Sequence, residues 1–257
     1  MSDLFDLTGK VALVTGASSG LGVQFARALA KQGAKLALLA RREEKLQAVQ
    51  KEIEDLGVEC IYQKCDVSDS NNIKEAVKAV LDHYGTIDIL VNNAGIGNST
   101  PAADLDIADW NQVINMNLSS LFYVAKEVAP TMINNKYGKI INIGSVHSEA
   151  AMHPTTWPVP AYASAKHGVK GLTKSLAAEW APYNITVNAI GPAYFASEMT
   201  QDMIGDEGFL QVMKTYCPMG RTGRPGELDG ALVYFASDAS SYTSGQLLLV
   251  DGAWTTI

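Results

Sequence analysis

A chain of 257 residues with a net charge of −7 and 47% apolar side chains is long enough for one large α/β domain, and it has no basic stripe with which to neutralise a nucleic-acid backbone. Its three cysteines, at 60, 65 and 217, have neither the density of a disulfide framework nor the spacing of a zinc site, so no metal is expected. The acidic N-terminus and the absence of any apolar run of spanning length predict a cytoplasmic protein with no membrane contact.

Residues 11–22, VALVTGASSGLG, read as a short apolar strand, a tight turn and the start of a helix whose inner face carries Phe25, Ala26, Leu29 and Ala30. Such a turn leaves the first helix amides pointing outward at the positive end of the helix dipole, a place to hold phosphate. Gly16 suits the strained turn, Gly20 lets a pyrophosphate approach the backbone, and Gly22 allows close packing of the helix. The same letters fit the G-x-S-x-G elbow of serine hydrolases at residues 16–20. That fold needs a histidine late in the chain, and the last one here is His167, so the hydrolase reading is set aside.

A second buried strand at 35–40 ends at Ala40 and is followed by Arg41 and Arg42. An acid there would bind an adenine ribose 2′-hydroxyl, whereas an arginine accommodates a 2′-phosphate, which favours NADP(H) and leaves NAD(H) open. The glycine turn itself has no basic residue. Next come an amphipathic helix at 43–56 stopped by Gly57, a strand at 58–65 ending at Asp66 and Val67, a helix at 69–84 and a fourth strand at 87–91. The fourth strand is closed by Asn92-Asn93-Ala94-Gly95. Residues 110–132 read as one long helix or a bent pair and include Asn117. A fifth strand at 139–143 leads to Ser145, a helix covers 162–180, and a sixth strand covers 185–190. Weak periodicity at 194–224 suggests a mobile substrate cap, before a last helix at 225–237 and a seventh strand at 246–250. This alternation predicts a Rossmann-type, doubly wound, seven-stranded parallel sheet with helices on both faces, as one domain over 1–257.

Tyr162 and Lys166 are one helical turn apart on one face. A neighbouring cation favours the phenolate of a group whose free pKa is near ~10, so Lys166, aided by an oxidised nicotinamide, would bring the phenol into range for general acid/base work. Together, Thr15-Gly16-x-x-x-Gly20-x-Gly22, Asn92-Asn93-Ala94-Gly95, Asn117, Ser145 and Tyr162-x-x-x-Lys166 resemble the short-chain dehydrogenase/reductase family over essentially the whole chain. The resemblance implies a nicotinamide cofactor and reversible alcohol/carbonyl interconversion. It assigns proton transfer to Tyr162, hydrogen bonding of the reacting oxygen to Ser145, and tyrosine activation plus ribose binding to Lys166. It also makes Asn117 the anchor of a water that relays protons. For the cofactor it implies Gly16, Ser18, Ser19, Gly20, Leu21, Gly22, Arg41, Arg42, Asp66, Val67, Asn93, Ala94 and Gly95, with Tyr162, Lys166, Pro192, Ala193 and Ser197 toward the nicotinamide. Ala193 and Ser197 stand where the family commonly has glycine and threonine, and the interval from Ser145 to Tyr162 is longer than in many members.

Several stretches are similar to the gluconate 5-dehydrogenase branch: Asp3-Leu4-Phe5, Ile143-Gly-Ser-Val-His-Ser-Glu149, Tyr194-Phe195 with Glu198-Met199-Thr200, and residues 248–252. That resemblance implies a keto-sugar acid or polyol substrate, with His147, Glu149, Trp157, Tyr194 and Phe195 lining its site and Ser148 and Glu198 as further hydrogen-bonding groups. A hydroxysteroid or bile-acid dehydrogenase is the main alternative, because Met152, Trp157, Tyr194, Phe195, Met199 and Met203 could form an apolar cleft. His153 could equally pack the loop that holds it. A 3-oxoacyl-thioester reductase and a catalytically silent nucleotide sensor are further readings. Family members usually form homotetramers through the two long helices, which is the expectation here.

Overall fold

The computed structural model describes residues 4–151, 158–200 and 203–256. Strand β1 (Val11–Thr15) is buried along its whole length, as are all but the first residue of β2 (Lys35–Ala40) and the whole of β4 (Ile89–Asn92), β5 (Gly138–Ile143) and β6 (Ile185–Pro192). Continuous burial of this kind is the signature of strands covered on both faces, and it explains why these segments read as apolar runs rather than alternations. With β3 (Cys60–Lys64) and β7 (Leu247–Val250) they form one seven-stranded sheet in the order β3-β2-β1-β4-β5-β6-β7, in which every pairing is parallel.

Alternation along each strand splits the core in two. Ala12 and Val14 of β1 face α1 (Gly20–Lys31), α2 (Glu43–Glu54) and α8 (Asp229–Ala236), where Phe25, Leu29, Leu46, Ile53, Leu232 and Phe235 fill the space. Leu13 faces the opposite layer, where α3 (Ser70–Tyr84), α5 (Ser120–Asn135) and α6 (Pro160–Trp180) contribute Ile73, Val77, Val124, Val128, Met132 and Trp180. Helix ends follow local chemistry: Asp69 caps α3 by accepting hydrogen bonds from the amides of Asn71 and Asn72, and Gly85 ends it at φ 76°, a left-handed backbone that glycine enters without steric cost.

The segment read as one long helix or a bent pair at 110–132 is α4 (Ile107–Ile114) and α5 joined without a break by a π-helical turn, Asn115–Ser119, that carries Asn117. Single π turns of this type accommodate an extra residue and recur at functional sites. The span 194–224 contains α7 (Glu207–Tyr216), whose Phe209 and Met213 bury against Cys217. Its face is narrow, which is why its periodicity was weak in the sequence. The last helix begins at Asp229 rather than at 225. No helix among the described residues is long and apolar enough to cross a membrane.

Candidate active site

Neighbouring strands β1 and β4 send their connections to opposite sides of the sheet, so a crevice opens at their carboxyl ends. Into the same edge project the residues that follow β1, β2, β3, β4, β5 and β6, and they line a cleft of about 830 Å³, within the size range of cofactor and substrate sites.

One end is the glycine turn. Gly16 sits at φ 65°, and a Cβ there would lie 2.9 Å from Ala94 Cα. A Cβ at Gly22 would overlap the Gly16 carbonyl oxygen, so α1 packs this closely only on a glycine. The turn is braced by β4: the Thr15 hydroxyl accepts from the amides of Asn93 (3.0 Å) and Ala94 (3.1 Å), and Asn93 Nδ2 donates to the Thr15 carbonyl at 2.9 Å. Ser19, the N-cap residue of α1, makes no side-chain cap, so the first-turn amides are left to face the cleft as an anion site. Beside them Arg42 Nη2 donates to Ser18 Oγ (3.1 Å) and Ser19 Oγ (2.7 Å). Asp66, after β3, accepts from the amide and hydroxyl of Ser68. Burial pushes its pKa up, but these hydrogen bonds and the Arg41 guanidinium outweigh it and leave the carboxyl below its usual range.

The other end carries Ser145, His147, Tyr162 and Lys166, all of which line the cleft. Ser145 begins a single 3₁₀ turn and, with Ser148, forms a reciprocal cap: Ser145 Oγ accepts from the His147 amide while Ser148 Oγ accepts from the Ser145 amide. Ser148 is thereby spent on the backbone. Lys166 Nζ donates to the Ile143 carbonyl at 2.7 Å and lies 5.5 Å from the centre of the Tyr162 ring; burial lowers its pKa to about 8. Burial raises the Tyr162 phenol, and a hydrogen bond with the Ser145 side chain pulls it part of the way back. Desolvation of the ring is the larger of the two effects, and the Lys166 ammonium is directed at a backbone carbonyl. His147 packs edge-on to Tyr162 at 6.0 Å between ring centres. Its Nδ1 lies 3.1 Å from the Ala150 carbonyl, which can only accept, so Nδ1 carries the proton and Nε2 is left as an acceptor. Burial lowers the His147 pKa, which keeps the ring neutral.

The sequence profile of the short chain dehydrogenase family matches residues 10–208. The chain belongs to that family. It is 41% identical over 253 residues to the gluconate 5-dehydrogenase of Gluconobacter oxydans, covering 98% of this chain and 97% of that protein. It is 37% identical to the 5-keto-D-gluconate 5-reductase of Escherichia coli K12, with 98% of each covered. Among solved structures, a gluconate 5-dehydrogenase from Burkholderia cenocepacia in complex with NADP and tartrate superposes with a TM-score of 0.94 at 38% identity, over 99% of this chain and 98% of that one.

Most residues singled out by the family pattern converge on the cleft: Gly16, Ser18, Ser19, Gly20, Leu21, Arg41, Arg42, Asp66, Val67, Asn93, Ala94, Gly95, Asn117, Ser145, Tyr162, Lys166, Pro192, Ala193 and Ser197 all line it, whereas Gly22 lies beneath it. His147, Tyr194 and Phe195 line it too, although Phe195 is buried against Gly223. Glu149 does not; it pairs with Lys170 of α6. Trp157, with Met152 and His153, lies outside the described residues. The Asn117 side chain is held by backbone: Nδ2 donates to the carbonyls of Ile96 (2.9 Å) and Val113 (3.0 Å), and Oδ1 accepts from the Ile96 amide. Arg42, rather than Arg41, contacts Ser18 and Ser19, because it is the N-cap residue of α2 and its side chain reaches back over the turn. Glu198 lines the cleft at the Arg42 end, where Arg42 and Lys45 hold it. Gly97, Asn98 and Ser99 also line the cleft, and no local pattern marks them.

Proposed function

We propose that this protein is an NADP(H)-preferring oxidoreductase of the short chain dehydrogenase family that interconverts a secondary alcohol and a ketone on a keto-sugar acid or polyol of the gluconate/5-ketogluconate type. The observation that carries it is the Ser145–Tyr162 hydrogen-bonded pair at one end of a cleft whose other end is the glycine turn and Arg42. The left-handed Gly16, the cradle that a Cβ at Gly22 would fill and the uncapped first turn of α1 fit a dinucleotide pyrophosphate, and Arg42 with Ser18 and Ser19 fits a 2′-phosphate. When bound, the nicotinamide dinucleotide supplies the hydride exchange. Tyr162, kept protonated by burial, donates its proton to the carbonyl oxygen in reduction, and Ser145 donates a hydrogen bond to the same oxygen as negative charge develops there. Lys166, buried behind the phenol, keeps a positive charge near that oxygen at neutral pH. Asn117 is a positioning residue: by clamping the backbone of Ile96 it fixes the loop after β4 against the π turn. His147 Nε2 accepts from a hydroxyl beside the reacting carbon. Residues 194–224 act as the substrate cap on the single domain, and the enzyme works as a cytoplasmic homotetramer.

A second reading, a bulky apolar alcohol such as a hydroxysteroid, is favoured by Met199 and Met203 on the wall of the same cleft. Turnover with both cofactors across 5-ketogluconate, polyols, ketosteroids and acyl thioesters separates the two. Tyr162→Phe is expected to retain NADPH binding by fluorescence and to lose turnover by about 10²–10⁴-fold; a variant that reduces 5-ketogluconate at the wild-type rate refutes the assignment.

A further inference from the structure

The Glu198 carboxylate lies outside the Ser145–Tyr162 end and is the most heavily coordinated exposed acid of the cleft. Its Oε2 accepts from Arg42 Nη2 at 2.7 Å and Ser19 Oγ at 2.9 Å, and its Oε1 accepts from Lys45 Nζ at 2.6 Å and Arg42 Nη1 at 3.1 Å. Arg42 in turn donates through Nε and Nη2 to Ser18 Oγ. Two cations and one hydroxyl thus converge on one monoanion, a surplus of positive charge and donors. These hydrogen bonds hold the Glu198 carboxyl down at about 2, with those from Arg42 contributing most, so it is ionised throughout the physiological range. The donors come from the glycine turn and α2, while Glu198 comes from the segment after β6, 156 residues from Arg42 in sequence.

We infer that Glu198 is an internal stand-in for the cofactor's 2′-phosphate: it occupies the fork of Arg42 when that phosphate is absent, and a 2′-phosphorylated dinucleotide has to displace it while an unphosphorylated one does not. The inference rests on reading the Arg42 end as the adenosine end of the cleft. The charges argue for displacement over coexistence. A phosphate monoester carries about −1.5 to −2 at pH 7, so with Glu198 retained the two cations would face about −2.5 to −3, whereas with Glu198 expelled they are matched. Geometry argues the same way, because both terminal nitrogens of Arg42 already donate to Glu198 and bidentate recognition of a phosphate needs that fork. Glu198 is thereby a specificity-determining residue that lowers the discrimination in favour of NADPH below what Arg42 alone would give. The tight turn at 197–200, held by the Thr200 amide donating to the Ser197 carbonyl, rests on the phosphate turn: a Cβ at Gly20 would lie 3.2 Å from Ser197 Cβ.

The test is the affinity of the full-length enzyme for NADPH, NADH and adenosine 2′-monophosphate, measured by nicotinamide fluorescence and by calorimetry. Glu198→Gln is expected to tighten NADPH and adenosine 2′-monophosphate by about three- to tenfold, the scale of an exposed ion-pair network, and to leave NADH within twofold. Glu198→Ala should behave likewise, and Arg42→Ala should abolish the effect of Glu198→Gln. Equal tightening of both dinucleotides, unchanged NADPH affinity, or weaker NADPH binding in Glu198→Gln each overturns the inference. Failure of the underlying reading looks different: Arg42→Ala would then leave the preference for NADPH intact in the presence of Glu198.

Discussion

Replacing Gly22 by alanine tests whether the first crossover is built around the phosphate turn. Gly22 is the third residue of α1, and a Cβ there would lie 2.8 Å from the Gly16 carbonyl carbon and 2.8 Å from Asn93 Nδ2, besides overlapping the Gly16 carbonyl oxygen. Comfortable carbon–carbon contact needs about 3.5 Å, so at least ~0.7 Å must be recovered by moving α1 or the turn. Both atoms of Gly16 belong to backbone, and Asn93 is held by its bond to Thr15, so no flexible side chain can yield. Over-packing of this kind costs about 1–3 kcal/mol, and backbone on one side of the clash places Gly22→Ala near ~3 kcal/mol. For a chain of this size that is a fall in Tm of roughly 6–12 °C, together with at least a tenfold loss of NADPH affinity as the turn distorts. Gly230→Ala is the matched control: it too lies in the first turn of a helix, and a Cβ there meets nothing within 4 Å, so it should be neutral or stabilising by up to about 1 kcal/mol. Thermal melts of both variants with and without NADPH decide the point. A Gly22→Ala protein with unchanged Tm and NADPH affinity would refute the reasoning.

Arg42→Ala should weaken NADPH by about ten- to a hundredfold, the worth of hydrogen bonds to a charged group, with a much smaller effect on NADH, and Arg41→Ala should cost less; equal losses for both cofactors in Arg42→Ala would remove the 2′-phosphate role. Lys166, with its pKa lowered by burial to about 8 against about 10.4 in an unfolded chain, binds fewer protons folded than unfolded between those values. Its contribution to stability therefore rises with pH from about 8 to about 10, and the Tm gap between wild type and Lys166→Met should change across that window but not between pH 6 and 7. Parallel curves throughout would show that burial does not lower the Lys166 pKa. Light scattering should find four 27.5 kDa chains per particle, and Phe122→Glu, on the exposed face of α5, should shift that assembly toward smaller species; a monomeric wild type would exclude the tetramer.

Much of the site was legible because its chemistry is local. The glycines of the phosphate turn are four and two residues apart, Tyr162 and Lys166 are separated by one helical turn, and Ser145 directly follows the turn that closes β5. The apolar runs of the inner strands announced burial on both faces, and observed strand limits differ from the sequence reading by one or two residues at most ends. Where periodicity was weak the reading fell short. Helix α7 exposes most of its surface and buries only Phe209 and Met213, too few positions to make a pattern. The π turn at Asn115–Ser119 inserts without a glycine or proline to signal it.

What the sequence by itself determined is a set of short-range relations: which turn can hold phosphate, which side chains share a helical face, and the alternation of strand and helix that leads to a parallel sheet. Only the tertiary structure decided which arginine bends over the glycine turn, that Glu198 meets Arg42 and Lys45 from the far side of the chain, that the Asn117 side chain holds the backbone of Ile96, and that the Tyr162 phenol is buried beside Ser145. The physical reason is common to all four. Hydrogen bonds and desolvation depend on the distances and water access that folding imposes between segments, and neither is encoded in the spacing of residues along one segment.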